Sequence, residues 1–325
     1  MQAILVVTLP FFALVLCGYL ATRQKLLPEA AIPGLNAYVL YFALPCILFR
    51  FGASMPFATL IDPMLIGVYA LCALLVVALT VALTRRRVGL KNAAFGALVA
   101  AFPNSGFMGV PLLVALHGDA AAGPVIGTLL VDLFLTSTLC LALAHAEQHD
   151  PAEGSVLASV GRSLRAALAN PQPWSIALGA LAAGLSVRLP AAVDQFVKML
   201  AASASPVALF TIGAVLWRAG QHAHTRTPLR DYLPIALIKL LVQPLLVGGV
   251  GLAARAAGLP VSGFGLMVLV LAAALPSASN VSLLAERFGA DNGRVARIIM
   301  ASTVLAFISF TLLAWGLQGG SVSSR

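Results

Sequence analysis

Two short polar runs interrupt apolar segments of the chain, and each combines proline with asparagine and hydroxyl residues. The first contains Pro103, Asn104, Ser105 and Gly106, and the second contains Pro276, Ser277, Ser279 and Asn280. Proline removes a backbone donor and clashes with the preceding turn, so each run predicts a broken helix. A helix that restarts after a break offers free N–H groups and a partial positive charge to an anion. Together with the amides of Asn104 and Asn280, these donors predict a shared binding site for a carboxylate.

Three further polar side chains fall inside apolar segments and are candidates for charge balance or coupling, namely Asp132, Lys239 and Gln243. If these apolar segments cross a membrane, an unpaired carboxylate within one costs roughly 2.5–3.5 kcal/mol on membrane-insertion scales, so Asp132 must face protein or water. It is either a proton site or gate, or a buried carboxyl group satisfied by Thr128 and Thr136 one turn away. Lys239 either balances Asp132 or a substrate carboxylate, or extends its long stem to the cytoplasmic interface.

The composition places these residues in a membrane. Of the 325 residues, 60% are apolar and 10% are charged, and the mean hydropathy is +0.98, whereas an ordinary soluble domain has roughly 25% charged residues. A lipid bilayer must therefore surround most of the chain. The net charge of +9 is scattered in small groups between apolar runs, which indicates membrane topology rather than nucleic-acid binding. The four cysteines lie far apart without a CxxC or histidine pairing, so we expect no metal and no cofactor.

Apolar runs bounded by charges or by proline and glycine predict an all-α membrane protein with ten transmembrane helices. The longest polar stretch, residues 145–173, separates five spans from five. This divides the chain into a first repeat at 1–145, a cytoplasmic linker at 146–172 and a second repeat at 173–325. The predicted spans lie near residues 3–21, 32–50, 63–83, 92–117, 123–145, 173–189, 199–218, 232–254, 262–286 and 294–317.

The distribution of lysine and arginine predicts the orientation. With ten spans, fourteen of the twenty basic residues fall on one side of the membrane, five fall on the other, and Lys239 lies inside a span. Because cytoplasmic loops carry the excess of basic residues, the side with fourteen is cytoplasmic, and both termini face outward. The first apolar run is followed, not preceded, by Arg23 and Lys25, which is the reverse of a cleaved signal. It is therefore expected to stay as the first span.

Three landmarks recur in the same order in the two halves. At offsets of 161, 171 and 173 residues, they are a PxxLF motif at Pro45 and Pro206, the span starts at Pro63 and Pro234, and the breaks at Pro103 and Pro276. Because each half has an odd number of spans, the second half enters the membrane from the opposite face, and the repeats are inverted. Inverted repeats with broken helices are typical of transporters. Two ordinary proline kinks are the alternative, and the matched positions favour broken helices four and nine that cross at one site.

The two runs also carry a family resemblance. The stretches FPNSGFMGVPL at 102–112, LPSASN at 275–280 and AERFGA at 285–290 resemble the auxin efflux carrier family. That family groups plant auxin exporters with bacterial permeases, some of them described as malonate transporters, and it is distantly similar to bile acid:sodium symporters. The resemblance covers the whole chain. It implies a bacterial inner-membrane carrier of the elevator type, with a scaffold of spans 1, 2, 6 and 7 and a moving domain of spans 3–5 and 8–10. A homodimer through the scaffold spans fits this arrangement.

These observations predict a secondary-active carrier that moves a small organic anion, a mono- or dicarboxylate, by elevator-like alternating access. An intramembrane enzyme is disfavoured, because the chain has no HExxH pair and Asp132 is the one carboxylate near the middle of a span. The alternative is a channel or a non-transporting membrane sensor of organic acids. Saturable counterflow of substrate distinguishes a carrier from these.

Overall fold

The computed structural model describes residues 2–55, 60–146, 167–221 and 227–322, together with Gly161, Leu164 and Arg165. The regular elements in these ranges are helices, as expected for a chain whose backbone polar groups must be satisfied away from water. We number the α-helices of these ranges α1 (Gln2–Arg23), α2 (Ile32–Tyr38), α3 (Leu44–Ser54), α4 (Pro63–Ala101), α5 (Val110–His117), α6 (Ala122–Val131), α7 (Ser137–Ala146), α8 (Pro171–Gly184), α9 (Ala191–Gln221), α10 (Leu229–Leu237), α11 (Gln243–Ala256), α12 (Gly263–Ala273), α13 (Val281–Arg287) and α14 (Asn292–Val322). Most of the predicted linker at 146–172 lies outside the described residues.

Seven helical segments of the described chain are long and apolar enough to cross a membrane. They are Ile4–Arg23, Glu29–Ser54, Pro63–Ala101, Asp119–Ala146, Ala191–Arg218, Leu229–Ala256 and Asn292–Leu317. Large apolar side chains such as Val6, Leu245 and Met199 are two-thirds or more exposed on these helices, which suits contact with lipid. The protein is therefore an all-helical, multi-pass membrane protein.

The predicted count of ten spans differs from seven for three local reasons. Hydrogen bonds make α4 one element of 39 residues, although Gly89 inside it has a φ of 79° and joins two helices at a kink. The helix at the predicted sixth span, α8, has only 14 residues. The predicted ninth span consists of two short helices, α12 and α13. The ten-span inverted repeat stays a prediction.

Two helix pairs, α1 with α9 and α3 with α8, approach until their backbones touch. A Cβ atom added to any of four glycines at these crossings would overlap a backbone carbonyl oxygen of the facing helix. The pairs are Gly18 with Phe210, Gly213 with Val15, Gly52 with Ile176, and Gly179 with Phe49. Small residues at membrane helix interfaces permit such close packing. Gly179 follows Gly18 by 161 residues, and Gly213 follows Gly52 by the same offset.

A buried arginine joins α10 and α14 to α4. Arg294, at the start of α14, donates from Nε to the Asp231 carbonyl and from Nη1 to the Asn92 carbonyl, each at 2.9 Å. Asp231 also pairs with Arg87 at 2.7 Å. These contacts hold α10 and α14 against α4 just beyond the Gly89 kink. They fix the position of residues 93–101, a fully buried segment that leads to the first polar run.

Replacing Gly179 by alanine should weaken the contact between α3 and α8. The added methyl group must push the Phe49 carbonyl away, and overpacking of this kind typically costs about 1–3 kcal/mol. We expect a lower melting temperature in detergent for Gly179→Ala. Gly184→Ala on the same helix is the matched control, because nothing lies within 4 Å of its added Cβ. Equal melting temperatures for both variants would show that the close approach is not required.

Candidate functional site

The chain leaves helical geometry at both polar runs. α4 ends at Ala101, and a π-helical turn, Ser105–Gly109, leads into α5. In the second half, α12 ends at Ala273 and α13 begins at Val281. Each predicted break is therefore present, with irregular backbone at residues 102–104 and 274–280.

The two breaks are joined by their backbones. Three contacts form the junction: an antiparallel β-bridge between Pro103 and Ser277, a hydrogen bond of 2.8 Å from the Asn104 N–H to the Pro276 carbonyl, and one of 3.0 Å from the Ala278 N–H to the Phe102 carbonyl. An unsatisfied backbone group in an apolar interior costs several kcal/mol. Each break supplies partners that the other has lost, so the two segments cross in contact.

Side chains cap the two helices that run into this junction. Lys239 Nζ donates to the Ala273 carbonyl, and Gln243 Nε2 donates to the Ala101 carbonyl, each at 2.7 Å. These carbonyls belong to the last residues of α12 and α4 and have no partner within their own helices. The ammonium group also faces the negative end of the α12 dipole. Lys239 further donates to Gln243 Oε1 at 2.5 Å, and both side chains are fully buried. The alternative in which Lys239 extends to the cytoplasmic interface is therefore wrong.

Asp132 is buried beside the same helix end. Tyr69 donates its hydroxyl to Asp132 Oδ2 at 3.0 Å, and Thr136 donates to Oδ1 at 3.1 Å. The Tyr69 hydroxyl also lies 3.4 Å from the Ala101 carbonyl, which accepts from Gln243. Thr128, the other predicted partner of Asp132, contacts Ser105 instead.

Asp132 and Lys239 do not form a direct ion pair in the part of the chain that the structure describes. The two groups are connected through Tyr69, the Ala101 carbonyl and Gln243. This chain of contacts links the carboxylate, the ammonium group and the ends of both broken helices. Intervening polar groups, and not a salt bridge, therefore connect Asp132 with Lys239, and the charge balance predicted for this pair stays a prediction.

Three π-helical turns carry site residues. They are Ser105–Gly109, Asp132–Thr136 and Ile238–Val242, and the last of these contains Lys239. Pro111 and Pro244, which have no backbone N–H, follow the first and the last of these turns. At the turn Asp132–Thr136, the Ser137 hydroxyl donates to the Asp132 carbonyl at 2.7 Å. Such turns widen a helix locally and are frequent at functional sites.

A small cavity borders the crossing. Its lining includes Pro103, Asn104, Gly106 and Asn280 from the crossing and Gln172 from the start of α8. The volume of the cavity is about 20 Å³, which holds roughly one or two water molecules. An organic acid can enter only after the walls separate.

The predicted site residues divide into two groups. Pro103, Asn104, Gly106 and Asn280 border the cavity, whereas Ser105, Pro276, Ser277 and Ser279 do not line it. Ser105 is hydrogen-bonded to Thr128 at 2.9 Å. Thr128 donates its own proton to the Val125 carbonyl at 2.7 Å, so Ser105 is the donor in that pair and has no proton left for a ligand.

The second restarting helix is less open than predicted. The N–H groups of Val281 and Ser282 are directed to the carbonyls of Ala278 and Ser279, at 3.4 and 3.3 Å. The first restarting segment keeps Gly106 and Phe107 at its start, and both border the cavity. By helix geometry their N–H groups have no intrahelical partner. The two half-helices therefore do not contribute equally.

Comparison with known proteins identifies the family. The family model described as "Membrane transport protein" matches residues 3–314. The chain belongs to this family of transporters, the auxin efflux carrier family that the motifs indicate. The family and the relatives named below are transporters and not enzymes.

Several relatives of this transporter cover nearly its whole length. A protein of Rhizobium meliloti (strain 1021), named as a candidate malonate transporter, is 28% identical over 97% of this chain and 96% of its own. The uncharacterized transporter YfdV of Escherichia coli (strain K12) is 27% identical over 92% of this chain and 93% of its own. An uncharacterized transporter of Methanothermobacter thermautotrophicus is 26% identical over 94% of this chain and 95% of its own.

Sequence reasoning missed two polar residues of the transporter's candidate site, Tyr69 and Gln172. Tyr69 is a lone hydroxyl within an apolar run, and Gln172 lies next to the predicted start of a span. Neither has a local pattern that marks it, because its neighbours at the site come from distant parts of the chain. The fully buried position of Tyr69 appears only when α4 packs beside Asp132.

Removing the Lys239 ammonium group should destabilise the transporter strongly. Lys239→Met leaves the Ala273 carbonyl and Gln243 Oε1 without their donor and leaves Asp132 without a nearby cation. Breaking a buried charge network on one side typically costs about 3–5 kcal/mol. We expect a lower melting temperature and yield for Lys239→Met, with partial recovery in Lys239→Met/Asp132→Asn.

Lys198→Met is the control for this prediction, because Lys198 is about half exposed and pairs with Asp194 on the surface. Such pairs contribute roughly 0–1 kcal/mol. If Lys239→Met melted at the same temperature as Lys198→Met, the buried network would not be a stabilising element.

Proposed function

We propose that this transporter is a secondary-active carrier of small organic anions, with its substrate site at the crossing of the two broken segments. The observation that carries the proposal is the cavity beside the junction, bordered by the amides of Asn104 and Asn280. The Oδ1 atom of Asn280 is buried without a hydrogen-bond partner among the described residues. Unpaired polar groups at a helix crossing in the membrane mark a place where a polar ligand is expected.

A carboxylate fits the donors at this place. Asn104, Gly106 and Phe107 all border the cavity and can offer an amide and two backbone N–H groups, and the partial positive charge of the restarting helix favours an anion. The relative named as a candidate malonate transporter supports short carboxylates as the substrate class. Bonds to a charged group from such donors are worth roughly 1.5–3 kcal/mol each.

We propose alternating access by an elevator movement, which would separate the helices that line the cavity. We assign α1–α3, α8 and α9 to a scaffold and the remaining helices to a moving domain. The glycine contacts that join α1 to α9 and α3 to α8 lie within the proposed scaffold. The equal offset of 161 residues between these glycines supports two inverted repeats of five spans each, with the repeats at 1–145 and 173–325.

The scaffold also offers a surface for a second copy. Leu178, Leu181, Phe196 and Met199 on α8 and α9 are more than half exposed. This apolar face contacts either lipid or a partner, and a homodimer through it fits the proposed architecture.

The Asn104 and Asn280 amides should be required for binding. Asn104→Ala and Asn280→Ala each remove donors from a partly dehydrated site, so affinity for a carboxylic acid should fall about ten- to a hundredfold. Binding would be measured by thermal shift and calorimetry with a panel of carboxylic acids, and transport by counterflow in proteoliposomes. Asn92→Ala is the control: its side chain accepts from the Asp291 N–H far from the cavity, so stability should fall without a change in affinity.

The same measurements separate the alternatives. Flux that does not saturate with substrate concentration and shows no counterflow would indicate a channel, and binding without flux would indicate a sensor. Parent-like binding by both asparagine variants would assign a structural role to the crossing amides and reject the proposed site.

We further propose that the carrier lies in the bacterial inner membrane with both termini outside. In a cysteine-free background, Gly319→Cys and His117→Cys should react with an impermeant maleimide added to intact cells, because both positions lie on the proposed outer face. Arg86→Cys, near the Gly89 kink of α4, should react only after the membrane is opened. Labelling at Arg86 from outside would overturn the orientation.

A further inference from the structure

Gln172 belongs to α8, outside the two crossing segments, and it borders the same cavity as the crossing amides. We propose that Gln172 binds the end of the substrate remote from the crossing, and that the site accepts organic acids carrying a single negative charge. This inference rests on the proposed function, because it requires that a carboxylate occupies this cavity.

The short helix α8 brings Gln172 to its position. Asn170 caps the helix by accepting from the Gln172 N–H at 3.0 Å, and Gln172 is the second helical residue. A helix of 14 residues is about 21 Å long, which is less than the roughly 30 Å hydrocarbon core. Its first turn can therefore lie within the membrane, and Gln172 borders the same cavity as Asn104 and Asn280.

The Gln172 amide is poised for a ligand. Only 4% of the residue is exposed, and its Oε1 atom has no hydrogen-bond partner among the described residues. Most buried polar side-chain atoms in proteins have such a partner. An amide carries both donors and an acceptor, and a half-turn exchanges them, so it can bind a hydroxyl, a carbonyl, an amide or a protonated carboxyl group.

The remaining lining limits the charge that the cavity can hold. Apart from Asn104, Gln172 and Asn280, the described side chains around it are apolar or small, including Leu40, Leu44, Phe102, Phe107, Leu129 and Leu133. No described lining residue is titratable. The charged groups behind the crossing are Asp132 and Lys239, and Lys239 is already bonded to Gln243 and the Ala273 carbonyl.

One carboxylate can use the donors of the crossing, but a second would face apolar groups and a neutral amide. Burying an unpaired charge in such surroundings is strongly unfavourable, whereas a neutral polar group can bond to Gln172. A short dicarboxylic acid is therefore bound as its hydrogen monoanion, with the protonated carboxyl group at Gln172. A hydroxy acid, keto acid or monoamide of similar length is expected to bind in the same way.

The first test compares malonic acid with malonamic acid, its monoamide, by calorimetry on the purified protein. Above the second ionisation of malonic acid, its apparent affinity should rise about tenfold for each pH unit lowered, because the fraction of monoanion rises by that factor. Malonamic acid keeps one charge throughout, so it reports any titration of Asp132, Tyr69 or Lys239. A constant affinity ratio between the two acids across this pH range would overturn the monoanion assignment.

The second test uses Gln172→Met, which keeps the length of the side chain and removes its hydrogen-bonding groups. Affinity for malonamic acid should fall about tenfold, while affinity for propionic acid, which has no polar distal group, should be unchanged. Gln172→Asn, which withdraws the amide by one methylene, should change affinity in the same direction and serves if the methionine variant fails to fold. Ser175→Ala on the next turn is the matched control, because its hydroxyl bonds to the Pro171 carbonyl and does not line the cavity.

The outcomes distinguish this inference from the proposed function. If none of the three acids binds to the parent, or if both Asn104→Ala and Asn280→Ala bind them like the parent, the proposed site fails and this inference fails with it. If the acids bind to the parent and the asparagine variants bind them more weakly, the proposed site stands. An equal effect of Gln172→Met on malonamic and propionic acid, or no effect on either, would then reject Gln172 as the distal contact.

Discussion

The structure depends on one constraint: backbone polar groups deep in a membrane protein must find partners within the protein. Both long segments that contain a proline run lose helical hydrogen bonds at that run, and neither could remain broken alone in lipid. The bridge between Pro103 and Ser277 and the two hydrogen bonds beside it satisfy groups from both segments at once. Each broken segment thus supplies hydrogen-bond partners for the backbone of the other. The side-chain amides of Asn104 and Asn280 are not needed to satisfy those backbone groups.

The helix ends that point into the crossing impose a second requirement, since each carries exposed carbonyls and a partial negative charge. Gln243 meets this requirement at Ala101, and Lys239 meets it at Ala273. These contacts use polar groups from α11 and the π-helical turn before it. The Lys239 side chain therefore lies behind the crossing, where it caps α12 and stabilises the fold without lining the cavity.

The sequence allowed prediction of features that depend on local chemistry. Proline acts on its own helix, so the breaks at Pro103 and Pro276 followed from residue type alone, and the resemblance to the family covered the same stretches. Features that depend on packing could not be found in this way. Tyr69 and Gln172 are single polar residues whose partners come from distant elements. Gly89 joins two helices through a left-handed φ that a hydropathy pattern does not encode. Thr128 lies one turn from Asp132, yet its hydroxyl turns to Ser105, because the crossing brings that residue closer.

The shortness of α8 has a consequence for the surrounding lipid. A helix about 9 Å shorter than the hydrocarbon core exposes a hydrophobic mismatch, and a bilayer responds by thinning locally, at a fraction of a kcal/mol for each ångström. Thinning beside the cavity would shorten the apolar path across which an anion is moved and reduce the electrostatic barrier along it. In the proposed carrier, we therefore expect the rate of turnover to depend on the acyl chain length of the host membrane.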